Sequence, residues 1–376
     1  MPIEFAERTR RIPVYPLAAG YDLGADVAML ASNECCFAPL PSVVEAAGRA
    51  LAGAHRYPDP AYAPLRRALA DRYGIPPQRI ALGNGSCDVL LAAGEALLEP
   101  GAEVVYAWPA FSVYPHLAAA SGARAIEVPL DDEDRHDLDA MAAEVTVATR
   151  LVLVCNPNNP TSTAIGLDEI DAFLRRIPSH VCVILDEAYC EFSLTLGDTY
   201  ASLELLRKYP NLVLLRTFSK VYGLAALRVG YGLCGSEDLR IAVDQVRQPF
   251  YLNAAAQAAA VEALRHQDEV ERRVTETIAE RLSMEDRVRA LGLWVARSDA
   301  NFIWLHLPED VEEADAVAGL KERNVLVRAG AALGRERSLR VTVGTATENE
   351  RFGDALAAVL EQRLASPRRS GTTRSQ

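Results

Sequence analysis

The chain has 376 residues, half of them hydrophobic, and a formal net charge of −12 at pH 7. This length is enough for one large and one small domain, and the acidic balance disfavours nucleic acid or an anionic membrane as a partner. Seven cysteines without a CxxC pair, and a start without an apolar core of signal-peptide length, favour reduced thiols, no metal site and a cytoplasmic protein.

Strand-like and helix-like segments alternate from about residue 80 to 235, which predicts a mostly parallel sheet with helices on both faces. The first strand-like segment, Ile80 to Leu82, leads into a glycine-rich turn and then an apolar helix. A turn of this kind offers free backbone N–H groups and the positive end of a helix dipole to a phosphate. Gly85, Ser86 and Cys87 are therefore candidates for a phosphate contact.

An acidic run, Asp131 to Asp139, follows a predicted strand at Ala125 to Val128 and precedes a predicted short helix. Charge runs usually lie on a solvated face of a protein. We therefore expect these carboxylates to face water.

Two later apolar segments end in polar residues. Leu151 to Cys155 leads into the turn-rich segment Asn156 to Thr161, and Val181 to Leu185 leads into Asp186 and then Tyr189. Ligands of open α/β sheets bind at the carboxyl ends of the strands. An aspartate there can pair with a protonated pyridine nitrogen, while a tyrosine and a turn amide can hydrogen-bond a phenolic ring oxygen.

The next predicted strand runs into a segment that holds a lysine and an arginine. A lysine in a packed apolar setting has a lowered pKa, so the amine of Lys220 is a candidate nucleophile toward carbonyls. Thr217, Ser219 and Arg228 offer two hydroxyls and a guanidinium to a phosphate. Pyridoxal 5′-phosphate is an aldehyde with a phosphate, so it fits both the lysine amine and the phosphate-binding groups of this segment. On this segment alone, an exposed loop lysine beside a structural arginine is an equal alternative.

Short motifs, in order and spacing, carry a resemblance to a known family. They are SNE at Ser32 to Glu34, RYPD at Arg56 to Asp59, GNGS at Gly83 to Ser86, NPNNPTS at Asn156 to Ser162, DEAY at Asp186 to Tyr189, RTFSK at Arg216 to Lys220, GLAALRVGY at Gly223 to Tyr231 and RVTVGT at Arg340 to Thr345. From about Met29 to Arg351 the chain resembles fold-type I pyridoxal-phosphate aminotransferases of the histidinol-phosphate aminotransferase family. FAPLPSV, NPNNPTSTAIG and ANFIWL are closest to the aromatic (phenylalanine) branch of that family.

The resemblance implies roles around the cofactor. Asn159 and Tyr189 contact the ring oxygen, and Phe111 stacks on the ring where the histidinol-phosphate enzymes generally have tyrosine. Lys220 acts as base and acid, while Asp186 keeps the pyridine nitrogen protonated. The active unit is a homodimer with shared sites, in which Tyr57 reaches the cofactor phosphate of the partner subunit.

The resemblance also implies roles around the substrate. Arg340 binds the α-carboxylate, although a strand arginine paired with a glutamate is the alternative. Asn33, Asn159 and Tyr251 face the substrate, and Tyr21 belongs to an arm that closes over the site. The chain has Cys35-Cys36 where the family usually has Asn-Pro, in a loop that faces the substrate.

The resemblance implies an α/β fold with a mostly parallel, seven-stranded sheet between helices and a smaller α+β C-terminal domain. The predicted parts are an N-terminal arm (1–30), a large cofactor-binding domain (31–260), a small domain joined by part of the arm (261–365) and a disordered tail (366–376). Within the small domain we predict strands at Phe302 to Leu307, Val325 to Arg328 and Leu339 to Val343.

These features predict an aminotransferase that moves the amino group of an aromatic amino acid to a 2-oxo acid in a ping-pong cycle. The aromatic motifs, and Tyr251 at a position where histidinol-phosphate enzymes commonly have asparagine, favour an aromatic substrate. Histidinol phosphate and a specialised amino acid are the alternative substrates. A decarboxylase on the same scaffold and a non-catalytic cofactor-binding protein are the alternative classes.

Overall fold

The computed structural model describes residues 3–12 and 26–365. Two predictions lie outside these residues, the arm tyrosine Tyr21 and the disordered tail 366–376. None of the helices in the described ranges is long and apolar enough to cross a membrane.

Helices and strands alternate along most of the chain. The strands are β1 Ala28–Met29, β2 Ile80–Gly83, β3 Glu103–Trp108, β4 Arg124–Pro129, β5 Thr149–Cys155, β6 Cys182–Asp186, β7 Leu212–Thr217, β8 Gly230–Cys234, β9 Phe302–His306, β10 Val325–Leu326, β11 Arg328–Ala329 and β12 Ser338–Thr342. The α-helices are α1 Glu7–Arg11, α2 Pro41–Leu51, α3 Ala63–Tyr73, α4 Ser86–Leu97, α5 Tyr114–Ser121, α6 Leu138–Ala143, α7 Leu167–Leu174, α8 Ser202–Lys208, α9 Glu237–Gln245, α10 Ala254–Ala263, α11 Gln267–Ala290, α12 Glu313–Glu322 and α13 Ala346–Ala365.

The central sheet has seven strands in the order β2-β8-β7-β6-β5-β3-β4. The pairs β3–β4, β3–β5, β5–β6 and β6–β7 are parallel. Strand β8 is antiparallel to both of its neighbours, β2 and β7. Alternate residues of β6 pack on opposite faces, since Val183 and Leu185 belong to one hydrophobic cluster and Ile184 to another. Helices therefore cover both faces, and the predicted mostly parallel seven-stranded sheet is confirmed.

The pairing of the strands places several loops side by side. Cys155 at the end of β5 pairs with Asp186 at the end of β6. Because β8 is reversed, its first residue, Gly230, pairs with both Thr217 and Gly83, the last residues of β7 and β2. The loops after β2, β5, β6 and β7 thus meet at one edge of the sheet.

A second sheet, antiparallel, has the order β11-β12-β9, and β1 pairs with β10 in a separate two-stranded ladder. The strand predicted at Val325 to Arg328 is in fact two. Val325 and Leu326 pair with Ala28 and Met29, whereas Arg328 pairs with Arg340. The prediction of one strand is therefore wrong at this point, since an apolar pattern does not reveal a change of partner.

The acidic run between β4 and α6 is only partly solvated. Asp132 and Glu133 are exposed, as predicted. Asp134 is 1% exposed and accepts hydrogen bonds from the second sheet. The prediction of a solvated face is therefore wrong at Asp134, because a local charge pattern cannot show a buried partner on a distant strand.

Candidate active site

A cavity of about 370 Å³ lies at the edge where the strand ends meet. Most of the side chains predicted to bind a cofactor line it, namely Ser86, Cys87, Phe111, Asn159, Asp186, Tyr189, Thr217, Ser219, Lys220 and Arg228. They come from loops that are far apart in the chain. The fold therefore brings together what the strand-end pattern predicted to be close.

Lys220 projects from the loop after β7. Its Nζ donates a hydrogen bond to the backbone oxygen of Asn33 at 2.9 Å, and the loop is held by Ser219 N, which donates to Thr217 Oγ1 at 3.0 Å. Burial lowers the pKa of Lys220 to about 7, the nearby Arg340 charge adds to this effect, and Glu34 opposes it. The structure thus contradicts the alternative of an exposed loop lysine.

Asp186 is the last residue of β6 and is 4% exposed. Its Oδ2 accepts a hydrogen bond from the Tyr114 hydroxyl at 3.3 Å, and its Oδ1 accepts one from Ala188 N at 3.3 Å. Burial raises the pKa of Asp186 to about 6, even though both hydrogen bonds act in the opposite direction. A carboxyl of this kind gains most from a cationic partner, because a positive charge offsets the loss of water.

Two pairs of hydrogen-bonded side chains lie beside the cavity, and in each pair one residue lines it (Tyr189 or Asn159) while the predicted substrate residue (Asn33 or Arg340) does not. Asn33 Nδ2 donates to the Tyr189 hydroxyl at 3.1 Å. Arg340 Nη1 donates to Asn159 Oδ1 at 2.7 Å, and its Nη2 donates to the Ala31 oxygen at 2.7 Å. Arg340 lies on β12 and Asn159 follows β5, so this contact joins the second sheet to the edge of the central sheet.

The turn before α4 is shaped by close backbone contacts. Gly85 has φ +82°, and a Cβ there would lie 2.5 Å from Arg228 Nη2. A Cβ on Gly230 would lie 2.2 Å from Ser86 N. Helix α4 begins at Ser86, so the N–H groups of Ser86 and Cys87 have no acceptor within the helix. Two glycines therefore allow Arg228 and the helix start to approach one another.

Tyr57 and Tyr251 lie away from this cavity, in another part of the surface. Tyr57 is 81% exposed and stacks on Phe250 with ring centroids 4.6 Å apart. Tyr251 packs against Tyr62 at 4.9 Å, and both Tyr57 and Tyr251 line a separate depression. The predicted arm residue Tyr21 lies outside the described residues.

Cys35 and Cys36 line an adjoining cavity of about 590 Å³. The two cavities share Glu34 and Ser219. Burial raises the pKa of the Cys36 thiol to about 12, with the neighbouring Cys35 adding to the shift. Both cysteines therefore lie beside the cavity that holds Lys220, and burial keeps the Cys36 thiol protonated at neutral pH.

Two side chains that hydrogen-bond to residues of the site, Tyr114 and Asn301, were not among the predicted site residues. Tyr114 donates to Asp186, and Asn301 Nδ2 donates to the backbone oxygen of Asn33 at 3.3 Å. Asn301 stood within the ANFIWL motif, which was a usable signal. Tyr114 had no signal beyond lying in an aromatic segment, because nothing local indicates which ring reaches Asp186.

The strand ends of the mostly parallel sheet bring together a lysine of lowered pKa, a buried carboxyl group and the start of a helix. This arrangement matches the predicted class, a pyridoxal-phosphate enzyme. Residues 25–356 match the family described as aminotransferase class I and II. The chain therefore belongs to this family of pyridoxal-phosphate-dependent transaminases.

Individual proteins show the same relationship. The chain is 46% identical to an aromatic amino acid aminotransferase of Thermobifida fusca over 327 residues, which cover 86% of this chain and 88% of that protein. It is 44% identical to an aromatic amino acid aminotransferase of Streptomyces coelicolor, again with 86% and 88% covered. Among solved structures, histidinol-phosphate aminotransferase from Sinorhizobium meliloti in complex with pyridoxal-5′-phosphate superimposes with a TM-score of 0.85, at 29% identity and over 95% of this chain and 98% of that one.

Proposed function

We propose that the protein is a pyridoxal-phosphate-dependent aminotransferase for aromatic amino acids. The observation that carries this proposal is the single cavity that holds the Lys220 amine, the Asp186 carboxyl and the helix start at Ser86. Relatives at 46% and 44% identity that are named aromatic amino acid aminotransferases support the substrate class.

The residues of the cavity fit the cofactor. The N–H groups of Ser86 and Cys87, the Ser219 hydroxyl and the Arg228 guanidinium suit a phosphate, and the cradle exists because Gly85 leaves room for Arg228. Asp186 suits a pyridinium nitrogen, and Asn159 and Tyr189 suit the ring oxygen. Phe111 offers a ring face for stacking.

The chain's own groups divide the work of amino transfer. When bound, pyridoxal phosphate supplies an electron-withdrawing ring that stabilises negative charge at the substrate Cα. Lys220 Nζ would hold the cofactor aldehyde until the incoming substrate amine displaces it, and the freed amine would then take the proton from the substrate Cα and give it back as an acid. Its pKa near 7 suits both directions of proton transfer at neutral pH.

The substrate is held by its carboxylate and selected by charge. Arg340 and Asn159, already in contact, bind the α-carboxylate through the planar guanidinium and the amide. Glu34 and Glu348 line the adjoining cavity. Their negative charges favour an uncharged aromatic side chain over one that carries a phosphate, as histidinol phosphate does.

The active unit in this proposal is a homodimer with shared sites. Tyr57 is exposed and outside the cavity of its own chain, and two exposed apolar residues, Leu51 and Phe250, line the same depression. Contact with a second copy would cover this surface and bring Tyr57 to the phosphate of the partner's cofactor. Tyr21 and Tyr251 stay predicted substrate contacts, and the cytoplasmic location stays a prediction.

Absorbance of the purified holoenzyme during addition of single amino acids tests the function. We expect phenylalanine and tyrosine to convert the cofactor to its amine form, and a 2-oxo acid to restore the starting spectrum. Histidinol phosphate should be much slower, and Lys220→Ala should show no turnover. Rapid conversion by histidinol phosphate alone would contradict the aromatic assignment. Release of carbon dioxide without keto-acid formation would identify a decarboxylase.

A further inference from the structure

Asp134 lies outside the cavity, in the loop between β4 and α6, and is 1% exposed with φ +59°. Its Oδ2 accepts a hydrogen bond from Trp304 Nε1 at 3.1 Å and lies 3.0 Å from His306 Nε2. Its Oδ1 accepts one from Arg335. A buried carboxylate is costly unless it is paired and hydrogen-bonded, so these three side chains stabilise one another's positions through Asp134.

On the second sheet, the Asp134 carboxylate accepts a hydrogen bond from Trp304, the residue that pairs with Arg340. Trp304 on β9 is paired directly with Arg340 on β12. Residues opposite each other in an antiparallel pair lie on the same face and contact one another. The Arg340 guanidinium lies 5.6 Å from the ring of Phe302, which shares this face because it is two residues before Trp304. The position of Trp304 therefore affects the position of Arg340.

At the edge of the central sheet, the backbone oxygen of Asp134 is hydrogen-bonded to the loop that carries Asn159. The Thr163 hydroxyl donates to the Asp134 backbone oxygen at 2.8 Å. Thr163 Oγ1 lies 3.0 Å from Thr161 Oγ1, which accepts from Asn158 Nδ2 at 2.8 Å. Asn159 is the next residue, so its backbone is tied to Asp134 by hydrogen bonds.

These contacts close into a ring, because Arg340 Nη1 donates to Asn159 Oδ1 at 2.7 Å. We propose that Asp134 is a positioning residue that sets the placement of Arg340 relative to Asn159, and thereby the affinity of the site for the substrate's α-carboxylate. The inference rests on the proposed function, in which Arg340 and Asn159 bind that carboxylate. It assigns a role in substrate binding to a carboxylate that touches neither substrate nor cofactor.

Replacement of Asp134 by asparagine preserves shape and removes the charge. The amide cannot accept from Trp304, His306 and Arg335 together, so the second sheet loses its fixed distance from the loop at Asn159. Arg340 contacts the carboxylate in the ground state and in the transition state alike. Loss of such an interaction raises KM and leaves kcat nearly unchanged.

The test compares two ligands of the holoenzyme that differ in the carboxylate. 3-Phenylpropanoate has the carboxylate and lacks the amine, whereas 2-phenylethylamine has the amine and lacks the carboxylate. For Asp134→Asn we expect binding of 3-phenylpropanoate to weaken by about tenfold, the scale of effect for a misplaced contact. Binding of 2-phenylethylamine should change by less than about twofold, within the usual variation for an untouched contact. Asp132→Asn, the same charge change at an exposed position of the same loop, should match wild type for both ligands.

A second variant covers the case in which Asp134→Asn does not fold. Trp304→Phe retains a ring and removes the donor to Asp134, and it should show the same carboxylate-selective loss. Equal weakening of both ligands, or none, in the folded variants overturns the inference and leaves the proposed function standing. A wild-type holoenzyme that binds no 3-phenylpropanoate and is not converted by phenylalanine overturns the proposed function and the inference together.

Discussion

Lys220 and Asp186 are shifted in opposite directions by the same cause. Burial disfavours the charged form of each group, so the pKa of Lys220 falls to about 7 and that of Asp186 rises to about 6. The lysine thereby gains a neutral, nucleophilic amine near neutral pH. The Asp186 carboxylate is stabilised by a nearby cation, because positive charge offsets its loss of water. Burial therefore favours the neutral amine in one group and the pairing with a cation in the other.

The lowered pKa of Lys220 predicts a pH profile that does not depend on catalysis. Only the unprotonated amine reacts with an acylating reagent, so labelling of Lys220 in cofactor-free protein should rise as the pH rises through about 7. Peptide mapping by mass spectrometry can follow it, since Lys208 and Lys321 are the other lysines of the sequence and report the reagent's own pH dependence. The midpoint should move upward in Arg340→Gln, because the repelling charge is removed. Labelling that stays negligible until far above pH 7 would refute the assignment.

Strand β8 links the two halves of the proposed phosphate cradle, the turn before α4 and the segment after β7. It runs against β2 and β7, so Gly230 lies between the ends of both. A Cβ at Gly230 would meet backbone, with Ser86 N at 2.2 Å and the Gly85 carbon at 2.6 Å. Backbone cannot rotate away as a side chain can, so the turn before α4 would have to move.

Gly230→Ala should therefore weaken the binding of pyridoxal phosphate by at least about tenfold, because displaced N–H groups no longer point at the phosphate. Gly232→Ala is the matched control on the same strand and face. Its Cβ would meet only side-chain atoms nearby, Val213 Cγ1 and Val89 Cγ1 at 3.2 Å, and should leave cofactor affinity within about twofold. Equilibrium titration by fluorescence or absorbance measures both. Equal affinities in the two variants would show that the cradle tolerates the shift.

The exposed position of Tyr57 concerns the whole assembly. A tyrosine that is 81% exposed and stacked on Phe250 cannot act in the cavity of its own chain as the structure stands. In the proposed homodimer, Tyr57 and Lys220 of one site come from different subunits. Asp186 and Lys220, by contrast, line the same cavity of one chain.

Mixed dimers distinguish these arrangements. A hybrid of one Lys220→Ala subunit and one Tyr57→Ala subunit contains one complete site, so we expect about half of the wild-type activity per dimer. A hybrid of Lys220→Ala with Asp186→Asn contains no site with both groups and should stay inactive. The hybrids are isolated with two affinity tags and assayed with phenylalanine. If the first hybrid is no more active than its parents, Tyr57 does not act across subunits.

The local pattern of the chain was enough to predict the central sheet and the main groups of the cavity. Runs such as Val181 to Leu185 are apolar because both faces of a parallel strand are buried, and the residues directly after such a run must lie at the sheet edge. Asp186 directly follows a run of this kind, and Ser86 and Lys220 each follow one within a few residues. Their convergence results from parallel strands, whose carboxyl ends share an edge.

Contacts between distant segments had no such signature. Tyr114 on Asp186, the division of the strand at Val325 and the burial of Asp134 each depend on which surfaces meet after folding. A carboxylate in an acidic run looks solvated until a tryptophan 170 residues later is placed against it. Such pairings arise from packing of whole elements, because a single side chain carries no local mark of its distant partner. The residues at the strand ends could thus be predicted from the local sequence. The contacts that orient Arg340 and Asp186 could not, because they form only when the sheets pack together.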